Sequence, residues 1–259
     1  MSKGKILLDA GHYAKRNQSP AVPEYYESER MWMLHRMLQA RLELLGFDVA
    51  VTREEQAKDL SVTARGKMAE GYDLMLSLHS NAEDSGTVDR VVIYEPVDAS
   101  DEHTQFALTA AKTISQVMGT SDPSAVKRRA NSAGKDYYGV MRGAGDVGCG
   151  ARFIIEHSFH TNEAAAKFLL KDENLAKLAQ AEAELISDFF TGQQPLLVRG
   201  SRGSAVERLQ RLLNELGAGL AVDGIFGSNT EDAVENFQKE KSLKVDGKVG
   251  PETWGALLA

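Results

Sequence analysis

From Lys5 to about residue 190, apolar runs of strand length alternate with stretches of helical periodicity, and that alternation leaves few architectures open. The strand candidates are Lys5–Asp9, Phe47–Thr52, Leu74–Leu78, Val88–Tyr94 and Arg152–Glu156; helical patterns lie near 27–45, 60–70, 101–118 and 163–190. A parallel strand has to be reached by a crossover, so this order predicts an α/β fold. The expected sheet is largely parallel and twisted, with helices on both faces.

The texture changes after Thr191-Gly192-Gln193-Gln194-Pro195, where a glycine and a proline close the last long helical pattern. Val222-Asp223-Gly224-Ile225-Phe226-Gly227 recurs 23 residues later as Val245-Asp246-Gly247-Lys248-Val249-Gly250, and Thr230 and Ala233 return as Thr253 and Ala256. Ser204-x-x-Glu207 and Ser228-x-x-Glu231 read as capping boxes that start helices. The first of these helices aligns Val206, Leu209, Leu212, Leu213 and Leu216 on one face, enough to pack a small all-α, three-helix domain. The expected division is a domain over 1–192, a linker at 193–195 and a second domain over 196–259. A chain of 259 residues is long enough for one full core and a smaller one.

A net charge of -7 argues against a nucleic-acid partner, which needs a concentrated basic surface. The short basic run Lys127-Arg128-Arg129 reads as a solvated loop or helix face. Cys149 is the one cysteine, so neither an intrachain disulfide nor a thiolate metal cluster is expected, as fits a reducing cytosol. The apolar stretch Ile6-Leu7-Leu8 stops at Asp9, too short for a secretion signal, and no run approaches membrane-spanning length. The expectation is a chain made in the cytoplasm, with no membrane insertion.

Three strand candidates lead into polar residues able to carry chemistry. Lys5–Asp9 runs into Ala10-Gly11-His12, Leu74–Leu78 into His79, and Phe153-Ile154-Ile155 into Glu156. Open α/β sheets bind ligands beyond the carboxyl ends of their strands, so His12, His79 and Glu156 meet at one edge if the strands are parallel and adjacent. Helical phase adds Glu27: Met31, Leu34, Leu38, Leu42 and Leu45 all fall within about 60° of it, and Glu29 faces nearly the opposite way. A carboxylate on a buried stripe needs a partner. A metal ion is one account of it; the dipole at a helix N-terminus is another. Two histidines and a carboxylate make a catalytic zinc set with one position open to water, and a further carboxylate then serves as general base.

Asp9-Ala10-Gly11-His12, Glu27, Ser77-Leu78-His79-Ser80-Asn81-Ala82 and Ile155-Glu156-His157-Ser158-Phe159-His160-Thr161-Asn162, in that order, resemble the zinc-dependent N-acetylmuramoyl-L-alanine amidases of the Amidase_3 family. The resemblance spans nearly all of residues 4–190. It implies His12, Glu27 and His79 as ligands to Zn2+, Glu156 as the catalytic carboxylate and peptidoglycan as substrate. Ala10 departs from the proline common before the Gly-His pair, and His157 from a small or hydroxyl residue; His157 should point to the face opposite Glu156.

Residues 196–258 resemble the peptidoglycan-binding domain PG_binding_1, through Asp223-Gly224-x-x-Gly227 and Asp246-Gly247-x-x-Gly250-Pro251-x-Thr253-Trp254. Cleaving and binding parts together look like a bacteriophage endolysin or a bacterial autolysin, acting on the wall after release from the cytoplasm. The rival readings are a metallopeptidase cutting within the stem peptide and a non-catalytic wall-binding protein. Gly143-x-Gly145-x-x-Gly148 matches a dinucleotide-binding pattern but precedes a strand instead of following one, so it reads as a flexible loop near the site. His35 and His103 are read as structural, and Cys149 lacks a base that would make it a nucleophile.

Overall fold

In the computed structural model, which describes residues 4–191 and 196–258, the chain forms two compact units, Met1–Ser187 and Asp188–Ala259. The expected linker at 193–195 lies outside the described residues.

The first unit runs β1 (Lys5–Ala10), α1 (Glu27–Leu44), β2 (Asp48–Val51), α2 (Val62–Lys67), β3 (Leu74–Asn81), β4 (Val92–Tyr94), α3 (Asp101–Met118), β5 (Ala125–Lys127), α4 (Gly139–Asp146), β6 (Ala151–Phe159), α5 (Glu163–Leu169) and α6 (Asp172–Thr191). Its six-stranded sheet has the order β2-β1-β3-β6-β4-β5. Pairing is parallel except between β4 and β6, which run antiparallel. The register sets Ala10 beside Leu78 and His79 beside Glu156, so the polar ends of the central strands fall on one edge.

Strand alternation sends successive side chains to opposite faces. Leu7, Met75 and Ile154 meet Ala69, Val140, Met141 and Ala144 on the face covered by α2 and α4. Ile6, Leu8, Leu74, Leu76, Phe153 and Ile155 fill the other face. There the ring of Phe106 in α3 lies 5.0 Å from that of Phe153, and α1 buries Met31, Leu34, Leu38 and Leu42.

Several local expectations are corrected. The glycine-rich segment is not a flexible loop: Gly143 and Gly145 belong to the helix α4. Its glycines serve close packing, because a Cβ on Gly143 would lie 2.5 Å from the Thr63 carbonyl oxygen, and one on Gly66 of α2 2.0 Å from that of Val140. The pattern over 163–190 is two helices, since Arg30 Nε donates to Leu169 O and Asn174 Nδ2 to Phe168 O, taking up the last carbonyls of α5. The strand expected over Val88–Tyr94 shortens to Val92–Tyr94. The basic run is exposed, as expected of a solvated face, but Lys127 ends a strand, β5, while Arg128 Nε donates to Glu95 Oε1 at 2.8 Å and the Arg129 guanidinium sits 3.6 Å from the Tyr137 ring centroid.

The second unit holds α7 (Ser204–Glu215), α8 (Ser228–Glu240) and α9 (Pro251–Leu258) around Val206, Leu209, Leu213, Phe226, Val234, Phe237 and Trp254. Gly203 and Gly227 are the N-caps of α7 and α8, with no side-chain cap bond, which corrects the capping boxes: Ser204 and Ser228 are already helical. Leu216 falls one residue past the end of α7 and is exposed, not part of the core. The repeat has a partner outside the repeated hexapeptides. Gln210 is buried; its Oε1 accepts from Asp223 N and Gly224 N at 3.0 Å each, and its Nε2 donates to Asp223 Oδ1 and Thr230 Oγ1. Gln238 repeats the pattern on Asp246 N, Gly247 N, Asp246 Oδ1 and Thr253 Oγ1.

Candidate metal centre

Beyond Ala10 the chain must leave β1 sharply. Gly11 N donates to Leu78 O at 2.9 Å, Arg53 Nη2 donates to Ala10 O at 2.7 Å, and His12 takes the left-handed conformation, φ 57°. Non-glycine residues rarely adopt that region, and its use here turns the imidazole toward the strand edge. Glu27 opens α1 through Glu27 N to Asn17 O at 3.0 Å, and its carboxylate is almost wholly buried. His79 lies near the end of β3.

These three side chains converge. His79 Nδ1 is 3.0 Å from Glu27 Oε1 and His12 Nε2 is 3.4 Å from Glu27 Oε2; the three ligand atoms all lie within 4.8 Å of one another. Two donors on one tetrahedral ion with bonds of about 2.0–2.1 Å stand roughly 3.3 Å apart, so the donor set and its spacing fit a bound divalent metal. Glu29, on the other side of the helix, is not in this group. Asn17 was not anticipated: its Nδ2 is 2.7 Å from Glu27 Oε2 and 3.0 Å from His12 Nε2. A left-handed polar residue in the loop ahead of α1 is too weak a signal to find from sequence.

Charge follows the packing. Burial works to raise the Glu27 carboxyl, but the hydrogen bond from His79 and the neighbouring charges of His79 and His12 carry it down to about 2. The His12 imidazole is pushed below its ordinary value, chiefly by burial. His79 is also penalised by burial, yet the bond and charge of Glu27 leave it raised.

Glu156 stands apart from this trio. It pairs in register with His79 on the adjacent strand, on the same face, and its Oε2 is buried with no hydrogen-bond partner in the protein. Burial is the main reason its carboxyl is pushed up to about 7; the charge of His79 opposes the rise and that of Glu27 adds to it. A carboxyl so placed can take and return a proton near neutral pH. His157 turns to the opposite face, where its Nε2 lies 2.8 Å from Glu182 Oε1 and its Nδ1 3.1 Å from His79 O.

The remaining candidates stay structural. His35 is buried against Trp32, with ring centroids 4.4 Å apart. His103 sits edge-on to Phe153, and the Cys149 thiol is buried and pushed up to about 11, mainly by that burial. Asn162 caps α5, accepting from Ala164 N and Ala165 N.

Residues 6–188 match the family model Amidase_3, described as N-acetylmuramoyl-L-alanine amidase, and residues 202–257 match PG_binding_1, a peptidoglycan binding domain. Among solved structures, the catalytic domain of CwlV, an N-acetylmuramoyl-L-alanine amidase from Bacillus (Paenibacillus) polymyxa var. colistinus, is 18% identical with a TM-score of 0.60, over 73% of this chain and 98% of that one. The amidase AmiC2 of Nostoc punctiforme is 20% identical with a TM-score of 0.61, over 73% and 98%. These likenesses establish the fold. A probable N-acetylmuramoyl-L-alanine amidase of Bacillus licheniformis is 40% identical over 67 residues, 25% of this chain and 19% of that protein. The zinc D-Ala-D-Ala carboxypeptidase of Streptomyces albus G is 44% identical over 64 residues, 24% of this chain and 25% of that protein. The chain thus spans a quarter or less of either relative's length.

Proposed function

Because the chain belongs to the N-acetylmuramoyl-L-alanine amidase family, we propose that it hydrolyses the amide bond between N-acetylmuramic acid and L-alanine in bacterial peptidoglycan. The observation that carries this reading is the pairing of a three-ligand cluster, His12, Glu27 and His79, with the Glu156 carboxylate on the neighbouring strand, whose Oε2 is buried with no hydrogen-bond partner in the protein.

The proposed ion is Zn2+, which when bound would supply Lewis acidity and lower the pKa of a water to about 7. His12, Glu27 and His79 would hold it, through the Nε2, carboxylate and Nδ1 atoms that converge at the strand edge. Glu156 accepts a proton from the attacking water as its oxygen bonds to the lactyl carbonyl carbon. The same carboxyl then delivers that proton to the L-alanine nitrogen as the C–N bond breaks, leaving a carboxylic acid on the sugar and a free amine on the peptide. Asn17, donating to Glu27 and facing His12, helps fix the ligand geometry.

The second unit is proposed to bind the wall and so raise the local concentration of the first at an insoluble substrate. An endolysin or autolysin, acting on the wall after leaving the cytoplasm in which it is made, is the proposed setting; the support is the union of these two family matches in one chain.

The test is digestion of purified peptidoglycan by the metal-loaded protein, with the new termini identified by mass spectrometry. New L-alanine amino termini with intact glycan strands are expected. Cuts within the stem peptide would replace the amidase reading with a metallopeptidase, and the absence of any cut would leave a wall-binding protein.

A further inference from the structure

Behind His79, on the side away from Glu27, runs a buried polar chain with no role in the reading above. Asp9 is 0% exposed. Its carboxylate accepts from Thr52 Oγ1 at 2.6 Å, from Arg65 Nη1 at 2.9 and 3.0 Å, and from Ser77 Oγ at 2.7 Å. Ser77 is 1% exposed, and its Oγ also lies 3.1 Å from His79 Nε2.

The protons can be counted. A hydroxyl has one, and an ionised carboxylate held by a guanidinium has none to give. The Ser77 proton therefore points to Asp9, so toward His79 the hydroxyl oxygen can only accept. That requires a ring proton on Nε2, so Nδ1, which faces Glu27 Oε1 at 3.0 Å and whose proton a bound ion would displace, is the one ring nitrogen that can offer a lone pair to an ion. Gly11 lies against the ring: a Cβ there would sit 2.4 Å from His79 Nδ1 and Cε1, so glycine is what lets the backbone pass this close to the imidazole.

We propose that Asp9 and Ser77 form a relay that fixes the proton of His79 on Nε2 and aims Nδ1 at the metal, making both of them positioning residues of the centre. This rests on the metal-centre reading given above. Arg65 completes the relay by keeping Asp9 an acceptor without leaving a bare charge in the interior. Groups that orient a metal-bound histidine from behind change metal affinity about 10–100-fold when removed.

The test is zinc titration of the full-length protein against a chromophoric chelator, for the parent, Ser77→Ala and His12→Ala, together with NMR of the His79 ring in the zinc-loaded parent. The expected results are a Kd about 10–100-fold weaker in Ser77→Ala, and a slowly exchanging proton on His79 Nε2 with zinc on Nδ1. Should Ser77→Ala fail to fold, the ring spectrum of the parent decides by itself. Zinc on Nε2, or affinity within twofold of the parent in Ser77→Ala while His12→Ala loses zinc, overturns the relay and leaves the centre standing. If the parent binds no zinc, or His12→Ala binds it as well as the parent does, the centre itself falls and the relay with it.

Discussion

Glu156 is placed where the protein pays in stability for chemistry, and Glu156→Gln measures how much. A carboxyl raised from 4.5 to about 7 is harder to ionise in the folded state than in the unfolded one. The fold bears no cost below about pH 4.5, where both states are protonated. The cost grows between 4.5 and 7 and is complete above 7, where it reaches about 3 kcal/mol at 1.36 kcal/mol per pH unit. Glutamine removes the charge but still has a buried amide to satisfy, so the expected gain is roughly 1–2 kcal/mol. In a unit of this size that is about 3–6 °C in Tm. The assay is thermal unfolding of chelator-treated protein at pH 5 and pH 8, because a bound cation would itself lower the Glu156 carboxyl. The variant should melt higher than the parent at pH 8 and lose most of that advantage at pH 5, while hydrolysis by the metal-loaded variant drops about 10²–10⁴-fold. A variant that melts no higher at pH 8, or whose advantage is larger at pH 5, refutes the claim that Oε2 is buried without compensation.

The same change at Glu27 should have the opposite sign. Its folded carboxyl is lowered to about 2, so it stabilises the fold above pH 4.5 and loses that effect as pH falls toward 2; Glu27→Gln should lower the Tm at pH 8, read by the same scans. Gly143→Ala puts a Cβ 2.5 Å from a backbone carbonyl and 3.2 Å from Gly66 Cα, neither of which is a side chain that can swing away. It should cost about 1–3 kcal/mol in urea unfolding. Gln210→Leu strands two turn N–H groups, each worth about 1–3 kcal/mol when buried unpaired; Trp254 fluorescence in a Trp32→Phe background should show the second unit unfolding at lower urea. Deleting residues 193–259 should sharply reduce sedimentation with cell walls while leaving hydrolysis of soluble muropeptides nearly unchanged.

The fold and the trio at the strand edge were legible because they rest on long-range regularities. Strand–helix alternation dictates a mostly parallel sheet, and parallel strands bring their carboxyl ends together whatever lies between them. Glu27 was separable from Glu29 because eighteen residues of helix give a clear phase. What could not be read depends on spatial neighbours. The helix α4 has glycines at 139, 143 and 145, poor helix formers in isolation; Gly139 and Gly143 allow α2 to approach, and Gly145 makes room for the Arg152 guanidinium. Ser204 and Ser228 have the right spacing for capping boxes, but the glycines before them hold the cap positions. Asp9 looked like the end of an apolar run; only the register that brings Ser77 beside it, and the fold that brings Arg65 to it, reveal an acceptor at the base of a relay.

The glutamine that recurs in the second unit has a kinetic consequence. Gln210 reaches a turn 13 residues ahead and Gln238 one 8 residues ahead, so each helix secures the bend that follows it by contacts close along the chain. Loops so short close in tens of nanoseconds, and proteins dominated by such contacts fold in microseconds to milliseconds. The first unit has no such shortcut. The contact joining its central strands, between His157 and His79, spans 78 residues, and the ring nitrogens and carboxylates of the site cannot assemble until that gap is bridged. Refolding from denaturant should therefore be biphasic, with Trp254 signalling early and metal uptake arriving with the slow phase.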